Sequence, residues 1–193
     1  MKREFHRRNL PHLYYDEGIY FITYNLVNSM PVEAIKKIKD ESAKLTEEQK
    51  RHLFMRYDSL LHSASGGENY LSIEAVAEIA GYTIHYPDGK DFKLICYTIM
   101  PNHIHLVFEL LKNNKGISKI MQSIKRISSR RCNLLLNREG KFWQDESYDR
   151  LIRDDVELYF TIKYVLMNPV EAGLVKNWKD WKYTFCDKNY LVI

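Results

Sequence analysis

Two histidines separated by one apolar residue, His103 and His105, open an otherwise hydrophobic stretch that runs to Leu110. Side chains alternate across a β-strand, so both imidazoles point to one face of the predicted strand, together with Val107 and Glu109. Neutral imidazoles bind divalent metals, and neighbours on one strand face lie close enough to share an ion. Half-exposed polar residues are also common on the open face of an antiparallel strand without any metal. The pair therefore indicates a metal site only if further ligands lie elsewhere.

A phenol and an amide are spaced by four residues near the carboxyl end of the chain. Tyr164 and Asn168 lie in a stretch with helical periodicity, where residues four apart share one face and are about 6 Å from each other. The phenol is a candidate nucleophile, and the amide oxygen is a candidate metal ligand. Val156, Phe160 and Met167 fall on the same apolar stripe, so a tyrosine packed in the core is the alternative interpretation.

The order of the predicted elements determines whether these pairs can meet. Strands are predicted at 18–27, 92–99, 100–110 and 148–153, and helices at 72–81, 117–135 and 155–167. This succession predicts an α+β fold, a ferredoxin-like split βαβ antiparallel sheet with helices on one face, followed by a C-terminal helix that carries Tyr164. The 193 residues suit a single domain.

Local signals predict the ends of these helices. Ser72 is the expected N-cap of the first helix, and Gly81 its expected end. Asp154 has Glu157 three residues later, which is typical of a capping box at the start of the last helix. Pro169 disfavours helical geometry at the residue before it, so the last helix should end there.

Two segments lie outside this core pattern. Residues 1–13 are predicted to form a flexible basic arm, and residues 31–69 a helical insertion after the first strand, with helical stretches at 32–39 and 47–62. The insertion up to residue 68 contains seven basic and seven acidic residues, a balance that makes contact with DNA less expected there.

Basic charge is concentrated in one segment. The whole chain has a net charge of +4, whereas residues 112–138 contain eight lysines and arginines and no acid. A polyanion partner that this segment would neutralise is one interpretation, and a solvated helix face is the other.

Several classes of protein are disfavoured by composition. No apolar run approaches the ~20 residues needed to cross a bilayer, and the N-terminus is polar and basic. The sequence therefore predicts a cytoplasmic protein and not a membrane protein. The three cysteines, Cys96, Cys132 and Cys186, are widely spaced and odd in number, which favours free thiols over a disulfide framework or a zinc site.

Taken together, four motifs resemble one known family. They are Met100-Pro-Asn-His-Ile-His, Phe142-Trp-Gln, Ile152-Arg-Asp, and the run from Tyr164 through Asn-Pro-Val-Glu-Ala to Gly173. In this order the sequence resembles the single-tyrosine HUH transposases, and most closely their REP-associated tyrosine transposase branch. The resemblance covers residues 18–27 and 92–175, and the long insertion departs from it.

The resemblance implies a site and a reaction. It implies that His103, His105 and Asn168 hold a divalent ion, Mg²⁺ or Mn²⁺, and that Tyr164 attacks a DNA phosphodiester to form a covalent 5′-phosphotyrosine. A phenol is a weak nucleophile at neutral pH and a phosphodiester repels anions, so a cation at the phosphate suits this chemistry. Mixed nitrogen and oxygen ligation favours Mn²⁺ by affinity, and cellular abundance favours Mg²⁺. The expected partner is single-stranded or hairpin DNA.

Basic and aromatic side chains are the candidates for holding that DNA. The basic ones are Lys119, Lys125, Arg126, Arg130 and Arg131 on the long helix, with Arg7 and Arg8 on the arm. Trp143 and Tyr148 are candidates for base stacking, with packing in the core as the alternative for Trp143.

Two other functions stay open at the level of sequence. One is a non-catalytic, domesticated DNA-binding protein that kept the basic helix, and the other is a metal-dependent nuclease in which Tyr164 is only a core residue. Oligomeric state is open as well, because an insertion-sequence relative would be a homodimer that shares its tyrosine helices and a REP-associated one a monomer.

Overall fold

The computed structural model describes residues 3–7, 11–15, 17–29, 68–145 and 147–191. Seven strands and three α-helices lie among these residues, together with three short 3₁₀ helices, Tyr70–Ser72, Trp178–Asp180 and Lys188–Tyr190. The strands are β1 (Arg3–Arg7), β2 (Pro11–Tyr15), β3 (Gly18–Asn25), β4 (Phe92–Ile99), β5 (His103–Leu110), β6 (Tyr148–Ile152) and β7 (Thr184–Cys186). The helices are α1 (Glu74–His85), α2 (Ile117–Leu135) and α3 (Asp155–Glu171).

Five strands form one antiparallel sheet in the order β6-β3-β5-β4-β7. The first four strands of this order, β6-β3-β5-β4, follow the split βαβ arrangement, which confirms the predicted α+β, ferredoxin-like fold. Strands β4 and β5 form the predicted hairpin, joined by the short turn at Pro101 and Asn102. Strand β7 was not predicted, because its three residues are too short to show a period-two pattern.

Helices cover both faces of the sheet. Helices α1 and α2 pack on the face that carries Tyr20, Ile22, Leu106 and Phe108. Helix α3 packs on the other face, against side chains that include Phe21 and Val107. The predicted arrangement of βαβ helices on one face is confirmed, and the tyrosine helix closes the face that the histidines share.

Helix α1 differs from the prediction at both ends. Its N-cap is Ile73, without a capping side chain, rather than Ser72, and the helix continues through Gly81 to His85. A Cβ on Gly81 would lie 3.4 Å from the Tyr97 hydroxyl oxygen, an ordinary contact distance, so a methyl group fits there whereas a larger side chain would meet Tyr97. Gly81 was wrongly interpreted as a stop signal, because its role in packing has no local sequence signature.

Helix α3 begins as predicted and ends later. The carboxylate of Asp154 accepts a hydrogen bond from the Glu157 backbone N–H at 2.8 Å, which confirms the predicted cap. The helix continues through Pro169 and ends at Glu171, so the prediction that it stops before the proline was wrong. Pro169 is buried and lies less than one turn from the end, where the carbonyl of Asn168 still accepts from the Ala172 N–H at 2.9 Å.

The amino-terminal segment is not a featureless arm, because β1 and β2 pair as an antiparallel two-stranded sheet. The predicted helices at 32–39 and 47–62, with nearly all of the insertion, lie outside the described residues. Within the described residues, no helix is both long and apolar enough to span a membrane.

Both ends of the insertion are attached to the β4–β5 turn. The Leu26 N–H donates to the Asn102 carbonyl at 2.8 Å, just before the chain leaves the described part at residue 29. After the chain returns at residue 68, the Leu71 N–H donates to the Pro101 carbonyl at 3.1 Å. Two neighbouring carbonyls of one turn thus anchor the chain on each side of the long segment.

Candidate functional site

The two histidines lie side by side at the start of β5, on the face covered by α3. Both side chains are fully buried, which argues against the alternative of half-exposed polar residues on an open strand face. Their Nε2 atoms face each other at 3.1 Å. The alternation of side chains was predicted correctly, whereas the depth of burial depends on α3, which comes from a distant part of the chain.

Each imidazole is held from behind through its Nδ1 atom. The Nδ1 of His105 lies 2.8 Å from the Thr23 hydroxyl on the neighbouring strand β3, where the two residues are in direct register. The Nδ1 of His103 lies 2.6 Å from the Oδ1 atom of Asn102 in the preceding turn. Partners of this kind fix the orientation of metal-binding imidazoles in proteins. Both Nε2 atoms are thereby directed at the same point.

Tyr164 lies against this pair. Its ring is half-buried, with its centre 5.4 Å from that of His105 and 6.0 Å from that of Phe21, approaching both edge to face. Asn168, one turn later on α3, is fully buried. The structure thus brings His103, His105 and Tyr164 into one cluster and places Asn168 on the same helix, while its ligation of a metal stays a prediction.

The donor set fits a divalent ion. Two ligands at ~2.1 Å from such an ion and at right angles to each other are ~3.0 Å apart, close to the observed separation of the Nε2 atoms. No group of three or more His, Cys, Asp or Glu side chains in the described residues could hold an ion. Amide, water and phosphate oxygens would have to complete the shell, as suits Mg²⁺ or Mn²⁺.

The basic helix α2 lies on the opposite face of the sheet from the histidines. Its buried side includes Ile120, Ile124 and Cys132, which pack with the face that α1 also covers. Most of the predicted DNA-contacting side chains are exposed on its outer side, namely Lys119, Arg126, Arg130 and Arg131. DNA held by this helix would have to pass around a sheet edge to reach Tyr164.

Two of the predicted DNA-contacting side chains, Lys125 and Arg131, interact with neighbouring groups of the protein. The ammonium group of Lys125 is turned inward and donates to the carbonyls of Gln144 and Asp145, at 2.9 and 3.3 Å, which is a different role from a phosphate contact. Arg131 instead stacks its guanidinium over the exposed ring of Tyr82, 5.1 Å from its centre. The side chains of Arg7 and Arg8 lie outside the described residues.

The Phe142-Trp-Gln segment extends the sheet edge beside the site. Trp143 is 4% exposed and donates its indole N–H to the Ser128 hydroxyl at 2.8 Å, which supports packing in the core rather than base stacking. The Gln144 N–H donates to the Asn25 carbonyl at 2.9 Å. Tyr148, in register with Thr23 on β3, lies on the histidine face at the open edge of the sheet. Tyr148 therefore stays a candidate for base stacking.

The three cysteines are free, as predicted. Cys96 and Cys132 are fully buried, and burial raises the pKa of the Cys132 thiol to about 12. Burial likewise raises the pKa of Cys96 well above its ordinary value and that of Cys186 to about 11. These thiols stay protonated near neutral pH, so they are packing residues rather than nucleophiles.

Sequence reasoning missed Thr23 and Asn102. Thr23 is a polar residue within an otherwise apolar stretch of β3, and Asn102 directly precedes the first histidine. Both signals are present in the sequence, but only the register between β3 and β5 shows which imidazole each one meets.

The family model described as "Transposase IS200 like" matches residues 68–168, just over half of the chain. A Haemophilus influenzae protein assigned as a REP-associated tyrosine transposase is 33% identical over 109 residues, which cover 52% of this chain and 60% of that protein. The REP-associated tyrosine transposase of Escherichia coli K12 is 24% identical over 95 residues, 49% of this chain and 54% of that protein. The chain thus spans little more than half the length of these curated relatives.

A solved structure of a REP-associated tyrosine transposase bound to a REP hairpin shares the fold, with a TM-score of 0.55 and 18% identity. The match covers 93% of this chain and 80% of that one. The sheet order agrees with the fold that the resemblance in the sequence implies. With the family model matched over half of its length, this chain belongs to the IS200-like transposase family.

Proposed function

We propose that this chain is a DNA strand transferase that cleaves and rejoins single-stranded or hairpin DNA through a covalent 5′-phosphotyrosine at Tyr164. The observation that supports it most is the contact between the Tyr164 ring and His105, with centres 5.4 Å apart. This contact places the candidate nucleophile beside the two imidazoles that would hold an ion, which supports a catalytic role over DNA binding alone.

In this proposal, His103, His105 and Asn168 hold a Mg²⁺ or Mn²⁺ ion. When bound, the ion supplies Lewis-acid polarisation of a phosphate oxygen and neutralises its charge. The Tyr164 phenol gives up its proton as its oxygen attacks phosphorus, an O–P bond to the tyrosine forms, and the bond from phosphorus to the 3′-oxygen breaks. The 3′-oxygen takes up one proton and leaves as a hydroxyl, so the step involves no net change in protons. Attack by a 3′-hydroxyl on the phosphotyrosine reverses these steps and rejoins a strand, so no nucleotide cofactor is needed.

The protein's own contribution is positioning and exclusion of water. Phe21 stacks on the His105 ring with centres 5.7 Å apart and also meets the Tyr164 ring, so one aromatic side chain braces both groups. Helix α3 covers the buried imidazoles, and its tyrosine is the half-buried member of the cluster. A phosphate that approaches beside α3 would meet the phenol and the imidazoles together.

The exposed basic face of α2 is our candidate for the hairpin, because it supplies charge without a base-reading geometry. A hairpin bound there would send its single strand around the sheet edge, and Tyr148 on the open β6 edge is placed to stack a base beside the site. Replacement of Arg126 or Arg130 by glutamine should weaken hairpin binding and lower the salt slope by about one unit per lost phosphate contact.

Denaturing electrophoresis of the protein after incubation with labelled hairpin DNA and Mg²⁺ or Mn²⁺ tests the proposal. A protein–DNA adduct is expected with the unchanged chain and none with Tyr164→Phe, which keeps the ring but removes the attacking oxygen. Tyr159→Phe, on the exposed side of the same helix, is the matched control and should form the adduct. Cleavage that persists in Tyr164→Phe would mean a nuclease without a covalent intermediate, and binding without cleavage under either ion would mean a non-catalytic module.

A further inference from the structure

We propose that Asn102 and Thr23 are positioning residues that set the tautomers of the two imidazoles, and that the tautomer of His105 changes when a divalent ion enters. This deepens the proposed function and rests on it, because it concerns the ion that His103 and His105 would hold. The groups that contact the two Nδ1 atoms differ in chemistry: Asn102 presents an amide oxygen to His103, and Thr23 presents a hydroxyl to His105.

Asn102 gives His103 a single tautomer. The Oδ1 atom of Asn102, 2.6 Å from the Nδ1 of His103, is an oxygen that can only accept a hydrogen bond. The Nδ1 of the neutral imidazole therefore carries the proton, and its Nε2 presents a lone pair toward His105. Both side chains are buried, with Asn102 4% and His103 0% exposed, so water does not compete for this hydrogen bond.

Thr23 allows His105 two tautomers, because a hydroxyl can donate or accept. Without an ion, two lone pairs facing each other at 3.1 Å in a buried site would repel, so the Nε2 of His105 carries the proton and donates it to His103. The Thr23 hydroxyl then donates to the Nδ1 of His105, which lies 2.8 Å away.

An ion between the rings requires a lone pair on both Nε2 atoms. His105 then carries its proton on Nδ1, and the Thr23 hydroxyl rotates to accept it. One proton leaves the Nε2 of His105, and one is gained at its Nδ1. The hydroxyl thus satisfies the buried Nδ1 atom in either state, which an amide oxygen or a carboxylate could not do.

Nitrogen-15 NMR of the imidazoles, recorded without DNA, tests this directly. His103 should be protonated at Nδ1 with and without Mg²⁺, whereas His105 should be protonated at Nε2 without the ion and at Nδ1 with it. A His103 protonated at Nε2, or a His105 whose tautomer is the same in both samples, would overturn the proposal.

Affinity for Mn²⁺, measured by electron paramagnetic resonance titration, is the second readout. Asn102→Ala and Thr23→Val should each weaken Mn²⁺ binding by about 10- to 100-fold, the usual effect of losing such a partner. Asn102→Asp and Thr23→Ser keep the hydrogen-bonding atoms and should retain the wild-type tautomers and most of the affinity. Wild-type affinity in both Asn102→Ala and Thr23→Val would overturn the positioning role, even if the tautomers are as expected.

Failure of this inference and failure of the proposed function have different signatures. Expected tautomers and Mn²⁺ affinities in a protein that forms no adduct through Tyr164 would support the positioning role while the strand transfer fails. An adduct in a protein whose His105 tautomer is the same with and without the ion would leave strand transfer intact and overturn the positioning role. A wild-type protein that binds no Mn²⁺ would overturn both.

Discussion

Replacement of Ser128 by alanine tests the assignment of Trp143 to the core. The Ser128 hydroxyl accepts the indole N–H at 2.8 Å, and the two residues are 0% and 4% exposed. Without the hydroxyl, the indole N–H would be buried with no acceptor, which costs about 1–3 kcal/mol. Alanine regains roughly 0.5 kcal/mol of helix propensity within α2, so the free energy of unfolding should fall by about 0.5–2.5 kcal/mol.

Thermal unfolding followed by circular dichroism measures this loss. For a chain of this length each kcal/mol corresponds to about 2–4 °C, so Tm should fall by about 1–10 °C. Ser129→Ala, one residue further along α2 at a half-buried position, is the matched control and should leave Tm within about 1 °C, as expected for a change away from buried partners. Hairpin affinity should be unchanged in both. A normal Tm with weakened hairpin binding in Ser128→Ala would refute the reasoning and return Trp143 to the DNA interface.

Three further substitutions or reactions test the fold around the site. Gly81→Ala should raise the free energy of unfolding by up to ~1 kcal/mol, because alanine has the higher helix propensity. Gly81→Leu should lower it by about 1–3 kcal/mol, because the larger side chain meets Tyr97. Urea denaturation measures both changes, and a leucine variant as stable as the wild type would contradict the close packing. Asp154→Ala should cost about 1 kcal/mol by the same assay, whereas Asp154→Asn should keep the cap, so equal stability of the two would rule out a capping role. Cys132, whose pKa burial raises to about 12, should react with iodoacetamide at pH 8 only after unfolding; mass spectrometry of native and urea-treated protein checks this, and equal rates would show that the thiol is accessible.

Much of the sheet could be predicted from sequence because its signals are local. Alternating and β-branched runs mark strands β3 to β6, and the short turn between β4 and β5 requires the pairing of those two strands. The helix ends were less predictable for a physical reason. Gly81 and Pro169 are unfavourable within isolated helices, but close packing against the sheet and a position in the last turn make each acceptable here.

The chemically active residues of the candidate site could be predicted from the sequence, whereas the residues that orient and bury them could not. His103, His105 and Tyr164 carry chemistry by residue type, and family resemblance indicated that they act together. Thr23 lies 82 residues from His105 in the chain, so their hydrogen bond depends entirely on tertiary register. The burial of the imidazoles likewise depends on α3, and no local pattern around β5 reports it.

The attachment of residues 26 and 71 to adjacent carbonyls of the β4–β5 turn has a consequence for how this chain tolerates change. The ends of the long segment between them are held close together whatever its length. A change of length between residues 29 and 68 therefore leaves both anchors in place, whereas a change of one residue in the turn itself would displace His103. We therefore expect related proteins to differ widely in length between residues 29 and 68 and hardly at all in the length of the β4–β5 turn.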